Sequence, residues 1–176
     1  MTYPNLRNNY IDISYLKQRA ILASKNIDVD ELNSIMLSML PGELRVLNSA
    51  DKLCPSEFDS TKQHAYPPKF LHSLKLPGLP NHSLELKVGA PIMLLRNINQ
   101  SLGLCNGTRL IVHKIRERVI ETKVITGSNV DETVFIPRVV LSPSANQSPF
   151  QMKRRQFSGK VSICYDYQQK SRANSQ

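Results

Sequence analysis

The chain has 176 residues, 40% of them hydrophobic, enough for one domain or one and a half small ones and too apolar for wholesale disorder. Its longest apolar run, Ala90 to Leu95, falls far short of the roughly 18 residues that cross a bilayer, and the polar start makes no signal peptide. The net charge of +9 is uneven: residues 1–60 hold six Lys/Arg against eight Asp/Glu, and residues 61–176 hold seventeen against six, leaving +11 there. Such a stretch attracts phosphate polyanions, the alternative being the solvated surface of a basic protein. Cys54, Cys105 and Cys164 are odd in number and widely spaced, which fits neither a disulfide framework nor a zinc knuckle. A soluble protein of a reducing, intracellular compartment is expected.

Residues 1–18 read as a loose lead-in, and the apolar run Arg19 to Ala23 as a buried strand. Asp28 with Glu31 offers a capping box, and Val29, Leu32, Met36 and Met39 follow at helical spacing until Pro41-Gly42. One strand feeding one helix is the start of an α/β domain, yet nothing in the sequence after it continues a parallel sheet. This portion reads as a fragment. Pro55, Pro67, Pro68, Pro77 and Pro80 mark a linker, with one short helix around Phe70 to Leu74.

From Leu84 the pattern is β. Leu84 to Val88 alternates apolar and polar, Ile92 to Leu95 is a buried run, and Cys105-Asn106-Gly107-Thr108 signals a type I′ hairpin turn. Arg109 to Ile115, Val119 to Ile125 and Val134 to Leu141 give three further strands, which together suggest a small barrel. Arg96 and Arg109 flank the turn as phosphate binders or as solvated arginines. Lys114, Arg116 and Arg118 alternate along a strand end and share one face if the strand persists, with Glu117 on the other. Lys153-Arg154-Arg155 is either a nuclear-localisation run or a DNA contact. His64, His72, His82 and His113 lack acidic or cysteine partners at ligand spacing, so no metal site is expected, and Cys105 has no neighbouring base to make it a catalytic thiol.

The stretches "LKVGAPIMLLRN" (Leu86 to Asn97), "GLCNGTRLIV" (Gly103 to Val112), "FIPRVVLSPS" (Phe135 to Ser144) and "PFQMKRRQF" (Pro149 to Phe157) resemble the PIF family of ATP-dependent DNA helicases, in the branch of eukaryotic genomes and Helitron-type transposons. "LKQRAILASKNIDVDELN" (Leu16 to Asn33) and "LPGE" (Leu40 to Glu43) resemble that family's second RecA-like domain. The resemblance implies an α+β fold, a partial RecA-like strand–helix unit followed by an SH3-like β-barrel of the 2B type. Its layout would be a partial motor domain over 1–60, a Pro-rich linker over 61–83, the barrel over 84–145, a return to the motor domain over 146–157 and a divergent tail over 158–176.

In that family, ATP hydrolysed with Mg²⁺ between two RecA-like domains drives movement along single-stranded DNA, usually 5′ to 3′. The implied function is therefore that of a fragment of such a helicase, serving DNA repair, recombination, or telomere or transposon maintenance. No G-x-x-x-x-G-K-[ST] loop occurs in this sequence, so the chain is expected to hold no ATP and to have no ATPase activity alone. The resemblance also implies a monomer that binds single-stranded DNA, does not bind membranes and pairs with a first motor domain, in the nucleus or in mitochondria. Its DNA-facing positions would be Lys25, Asn26, Arg96, Asn97, Asn106, Gly107, Thr108, Arg109, Lys114, Arg116, Arg118, Lys153, Arg154 and Arg155. Before Lys25-Asn26 the family has Thr-Pro where this chain has Ala23-Ser24.

Two other readings compete: a stand-alone module binding single-stranded nucleic acid, and the product of a pseudogene. Ser158 to Gln176 bears on the second. The family continues there with Pro-Val-Lys-Leu-Ala, and codon degeneracy permits that continuation in the second-base frame. A one-base frame change near Phe157 is thus expected, leaving a disordered or poorly packed tail that ends at an early stop.

Overall fold

Alternation at Leu84 to Leu86 and the apolar run after Ala90 do become strands, because period two sends successive side chains to opposite faces of a sheet. The computed structural model describes residues 6–10, 12, 14–15, 21–23, 26–54, 66–76, 78–127, 129–143 and 150–166. A short helix α1 (Leu6–Asn9) precedes β1 (Ile21–Ala23), α2 (Asn26–Met39), β2 (Arg45–Asn48) and β3 (Ala50–Leu53). Helix α3 (Pro68–Ser73) leads to β4 (Ser83–Leu86), β5 (Pro91–Leu94), β6 (Arg109–Ile115), β7 (Val119–Val124) and β8 (Thr133–Leu141). The last strands are β9 (Met152–Phe157), β10 (Gly159–Val161) and β11 (Cys164–Asp166).

Among the described residues the main sheet has seven strands in the order β10-β5-β6-β7-β8-β9-β3, each antiparallel to its neighbours. The expected barrel was confined to residues 84–145, but this sheet also recruits β3, β9 and β10. Its end strands β10 and β3 are not paired with each other, so the ladder is not a closed barrel. Strands β9 and β10 are separated by Ser158 alone, and the chain bends there to pair with β8 on one side and β5 on the other. Two small sheets complete the fold, β2 antiparallel to β4 and β1 parallel to β11.

Strand β6 carries the core on both faces over Arg109 to Val112, as an uninterrupted Leu-Ile-Val run requires. Leu110 and Val112 face one cluster with Leu86, Ile92, Leu94, Ile120, Ile136 and Phe157. Ile111 faces a second cluster with Leu37 and Leu40 of the α2 end, Ile125 and Ile163. Helix α2 begins at Asn26, two residues before the expected cap, so Asp28 lies in its first turn, where a carboxylate complements the helix dipole. At the other end, Lys87 donates from Nζ to the carbonyls of Leu40 at 2.7 Å and Ser38 at 3.3 Å, supplying one cation to the negative pole. Gly89, at φ +84°, sits in the turn after Lys87 with the Tyr10 ring pressed where a Cβ would stand, so a side chain there would displace the ring.

The expectation of an unpacked tail from Ser158 onward is corrected over residues 158–166. Gly159 to Val161 pair with Ile92 to Leu94, Cys164 to Asp166 pair with Ile21 to Ala23, and Ser158, Ser162 and Ile163 are buried. Main-chain hydrogen bonds are indifferent to side-chain pattern, so a segment without apolar periodicity still completes two sheets. Residues 167–176 lie outside the described residues.

Candidate nucleic-acid interface

The antiparallel register of β3 on β9 puts Lys52 directly opposite Lys153, with Arg155 opposite Ala50 on the same exposed face. Like charges facing across a ladder repel, and an anion laid along them relieves the repulsion. The next strand, β8, offers exposed Val140 opposite Arg155. Lys153 and Arg155 are thus exposed, and Lys52 joins them from a hundred residues upstream in the net-acidic part of the chain.

Arg154 points the other way and is corrected from a DNA contact to a structural residue. Its side chain has no exposure, because period two turns it to the inner face of β9. All five of its N–H groups are used. Nε and Nη2 hold the buried Asp51 carboxylate at 2.8–3.2 Å, Nη2 also donates to Leu71 O at 2.7 Å, and Nη1 donates to Leu74 O at 3.2 Å and Pro80 O at 3.0 Å. Burial pushes the Asp51 carboxyl up, but the hydrogen bonds from Arg154 and Ser49 and the Arg154 charge outweigh it and hold its pKa below the usual value.

Arg109 is also corrected. It is 5% exposed, with Nη2 donating to Ser162 O at 3.4 Å, because β10 and the residues after it cover this end of β6. The other basic run stays in solvent, by a different route from strand alternation. A bulge at His113 and the end of β6 at Ile115 leave Arg116, Glu117 and Arg118 in a tight turn closed by Arg116 N–H to Val119 O at 3.0 Å. Lys114, Arg116 and Arg118 are all exposed there, so the one-face alternation of the three does not hold.

The β5–β6 connection spends most of its polar groups on its own shape. Asn97 Oδ1 accepts from Asn106 N–H at 2.7 Å, and the Thr108 hydroxyl donates to Gly103 O at 2.9 Å while accepting from Cys105 N–H at 3.1 Å. Thr108 N–H donates to Cys105 O at 3.0 Å, with φ of +92° at Gly107 and no positive φ at Asn106. Those signs belong to a type II turn, not the expected type I′. Arg96 Nε donates to Gly78 O at 3.2 Å, tying the loop to the Pro-rich segment, and Asn97 and Asn106 remain exposed. Lys25 lies outside the described residues, and Asn26 opens α2.

Two polar residues not singled out by sequence, Gln156 and Arg138, organise the junction together with His82. Gln156 donates from Nε2 to Leu47 O and His82 O, both at 2.8 Å. Arg138 donates to Glu117 O and Asn48 O, both at 2.7 Å, and lies over the Phe157 ring at 4.7 Å. Burial, then the Arg155 charge, draws the Arg138 pKa down against an upward pull from Glu117. His82, expected to stand without acidic partners, instead lies with His72 and Asp51.

Residues 69–115 match the family model described as DNA helicase Pif1, 2B domain. No curated protein matches the chain. Among solved structures, unliganded Pif1 from Bacteroides sp. is 19% identical with a TM-score of 0.59, over 86% of this chain and 42% of that one. Pif1 helicase from Candida albicans is 19% identical with a TM-score of 0.59, over 94% of this chain and 44% of that one. Bacteroides Pif1 bound to ssDNA is 18% identical with a TM-score of 0.57, over 94% and 39%. The chain therefore spans about two fifths of the length of these structures.

The fold, with the family-model match over residues 69–115, makes the chain similar to helicases. The helicases it resembles are those of the Pif1 family, the likeness read from the sequence motifs, and its fold is theirs over most of its length.

Proposed function

We propose that this chain is a DNA-contacting part of an ATP-dependent, 5′–3′ Pif1-type helicase of nuclear or mitochondrial DNA repair, recombination or transposon and telomere maintenance. The observation that carries it is the exposed row of Lys52, Lys153 and Arg155 on the β3–β9 ladder, with Lys114, Arg116 and Arg118 as a second basic group on the same sheet. One solved relative, Bacteroides Pif1, has ssDNA bound. On this reading single-stranded DNA is the partner, held through its phosphates. The single residue between β9 and β10 supports an SH3-like closure of the β5–β9 strands, and the parallel β1–β11 pair beside α2 supports a RecA-like unit. Exposed Ile35 and Met39 on α2 support a further motor surface packed there in the whole helicase. This sequence has no phosphate-binding loop, so ATP and Mg²⁺ belong to a first motor domain, and this chain acts as a monomeric partner to it.

The packing of Leu37 and Leu40 onto Ile111 and Ile163 favours a second reading, a self-sufficient module binding single-stranded nucleic acid. Both readings predict DNA binding, and an ATPase assay of the chain mixed with a Pif1-type first motor domain separates them. Stimulation supports the helicase part, and none supports the module. For binding itself, Lys52→Ala/Lys153→Ala/Arg155→Ala should weaken affinity for a fluorescent single-stranded oligonucleotide by roughly tenfold or more in low salt. Unchanged anisotropy titrations would remove the basic row from the interface.

A further inference from the structure

We propose that the stacked His72 and His82 rings form a pH-sensitive clasp between α3 and the start of β4, closed while at most one ring is protonated and opened when both are. The rings lie face to face, 3.7 Å between centroids and 9° between planes. Two neutral imidazoles, or one neutral and one charged, stack in this way. Two imidazolium rings at that distance repel each other, and in a half-buried site water screens them poorly. His72 is carried by α3 and His82 immediately precedes β4, so the stack joins the Pro-rich segment to the sheet.

Hydrogen bonding fixes where the protons sit. Ser49 has one hydroxyl proton and two partners, Asp51 Oδ1 at 2.6 Å and His82 Nδ1 at 2.8 Å. The Asp51 carboxylate, held by Arg154, only accepts, so it takes the hydroxyl proton. His82 Nδ1 must then donate to the Ser49 oxygen, which leaves the lone pair of the ring at Nε2. A further proton enters at Nε2, keeps the Ser49 contact and puts its charge against the His72 ring. The titratable and charged groups facing His82 are Asp51 of β3, Arg154 of β9 and His72 of α3. Asp51 and Arg154 form a closed pair of opposite charges, so the second ring decides the balance. Burial, then the His72 charge, hold the His82 pKa below the usual histidine value, with Asp51 pulling it up and Arg154 down. One nitrogen of each ring and an Asp51 oxygen lie within 4.8 Å of one another, so a departing His72 admits water to Asp51. Arg154 still holds Leu71 O and Leu74 O on either side of it, so the helix backbone stays while the side chain swings.

Histidine NMR signals of the full chain, followed from about pH 8 to about pH 5, test the clasp in wild type and in His72→Phe. Phenylalanine keeps a ring to stack on and takes no proton, and its face attracts an imidazolium. The His82 midpoint should therefore rise by about half a pH unit or more in His72→Phe, while the curve of exposed His113 on β6 should not move. In wild type both rings of the pair should titrate over two coupled steps, a readout that needs no variant to fold. Stability follows the same sign, because the folded chain binds fewer protons at His82 than the unfolded one. That contribution is whole above the unfolded value of about 6.5 and is lost as pH falls from there through the folded value. Urea unfolding midpoints should fall across that window by more in wild type than in His72→Phe. Single-step curves for both rings in wild type overturn the proposal, and so does a His82 midpoint that is the same in the two proteins.

Discussion

Replacing Arg154 with alanine is expected to destabilise the chain by about 3–5 kcal/mol, the range for removing one partner of a buried ion pair. The Asp51 carboxylate would remain buried with only the Ser49 hydroxyl on it, and the carbonyls of Leu71, Leu74 and Pro80 would each lose a donor. Those three carbonyls belong to α3 and the Pro-rich segment, while Asp51 and Arg154 pair across β3 and β9. One guanidinium therefore joins the linker to the sheet. Lysine at this position restores charge but not five directed donors, so Arg154→Lys should recover only part of the loss. Urea unfolding of the three proteins gives the comparison. A loss below about 1 kcal/mol in Arg154→Ala would mean the network contributes no more than a surface pair.

Truncation after Phe157 is expected to abolish cooperative folding, while truncation after Asp166 is expected to preserve it. The shorter chain loses β10 from the edge of β5 and β11 from β1. It also loses Ile163, fully buried among Ile111 and Ile125, worth about 1.5–3 kcal/mol by apolar burial alone. Leu95 N–H and Pro91 O lose partners at Ser158 O and Ser162 N–H, and Arg109 loses Ser162 O. Against a total stability of about 5–15 kcal/mol, these losses leave little margin. Thermal unfolding by circular dichroism distinguishes the cases, and an unchanged midpoint in the 1–157 chain would return residues 158–166 to the status of an idle tail.

What the sequence made legible follows the physics of each element. Strands β4, β7 and β8 announce themselves by period-two alternation, β5 and β6 by the apolar runs Ile92 to Leu95 and Leu110 to Val112, and α2 by its apolar spacing. Strands β2 and β3 pass unnoticed because Arg45 to Asn48 and Ala50 to Leu53 are strands only through partners at Ser83 to Leu86 and Met152 to Arg155. The same long-range register decides the interface. In Lys153-Arg154-Arg155 the middle residue turns inward to Asp51, and the outer two join Lys52. Alternation along β9 separates inner from outer positions, but polar Arg154 and Gln156 at the buried ones mask the pattern. Arg109 is hidden for a related reason, since the residues that cover it follow Phe157.

The most direct test of the account is the salt dependence of single-stranded DNA binding by wild type and by Lys52→Ala/Lys153→Ala/Arg155→Ala. Each phosphate contact to a single strand contributes about −0.7 to the slope of log affinity against log salt concentration. If the three residues each meet a phosphate, affinity should fall steeply with salt in wild type, and the variant's slope should be shallower by about 2. Equal affinities at low and high salt, or parallel lines for the two proteins, would contradict it.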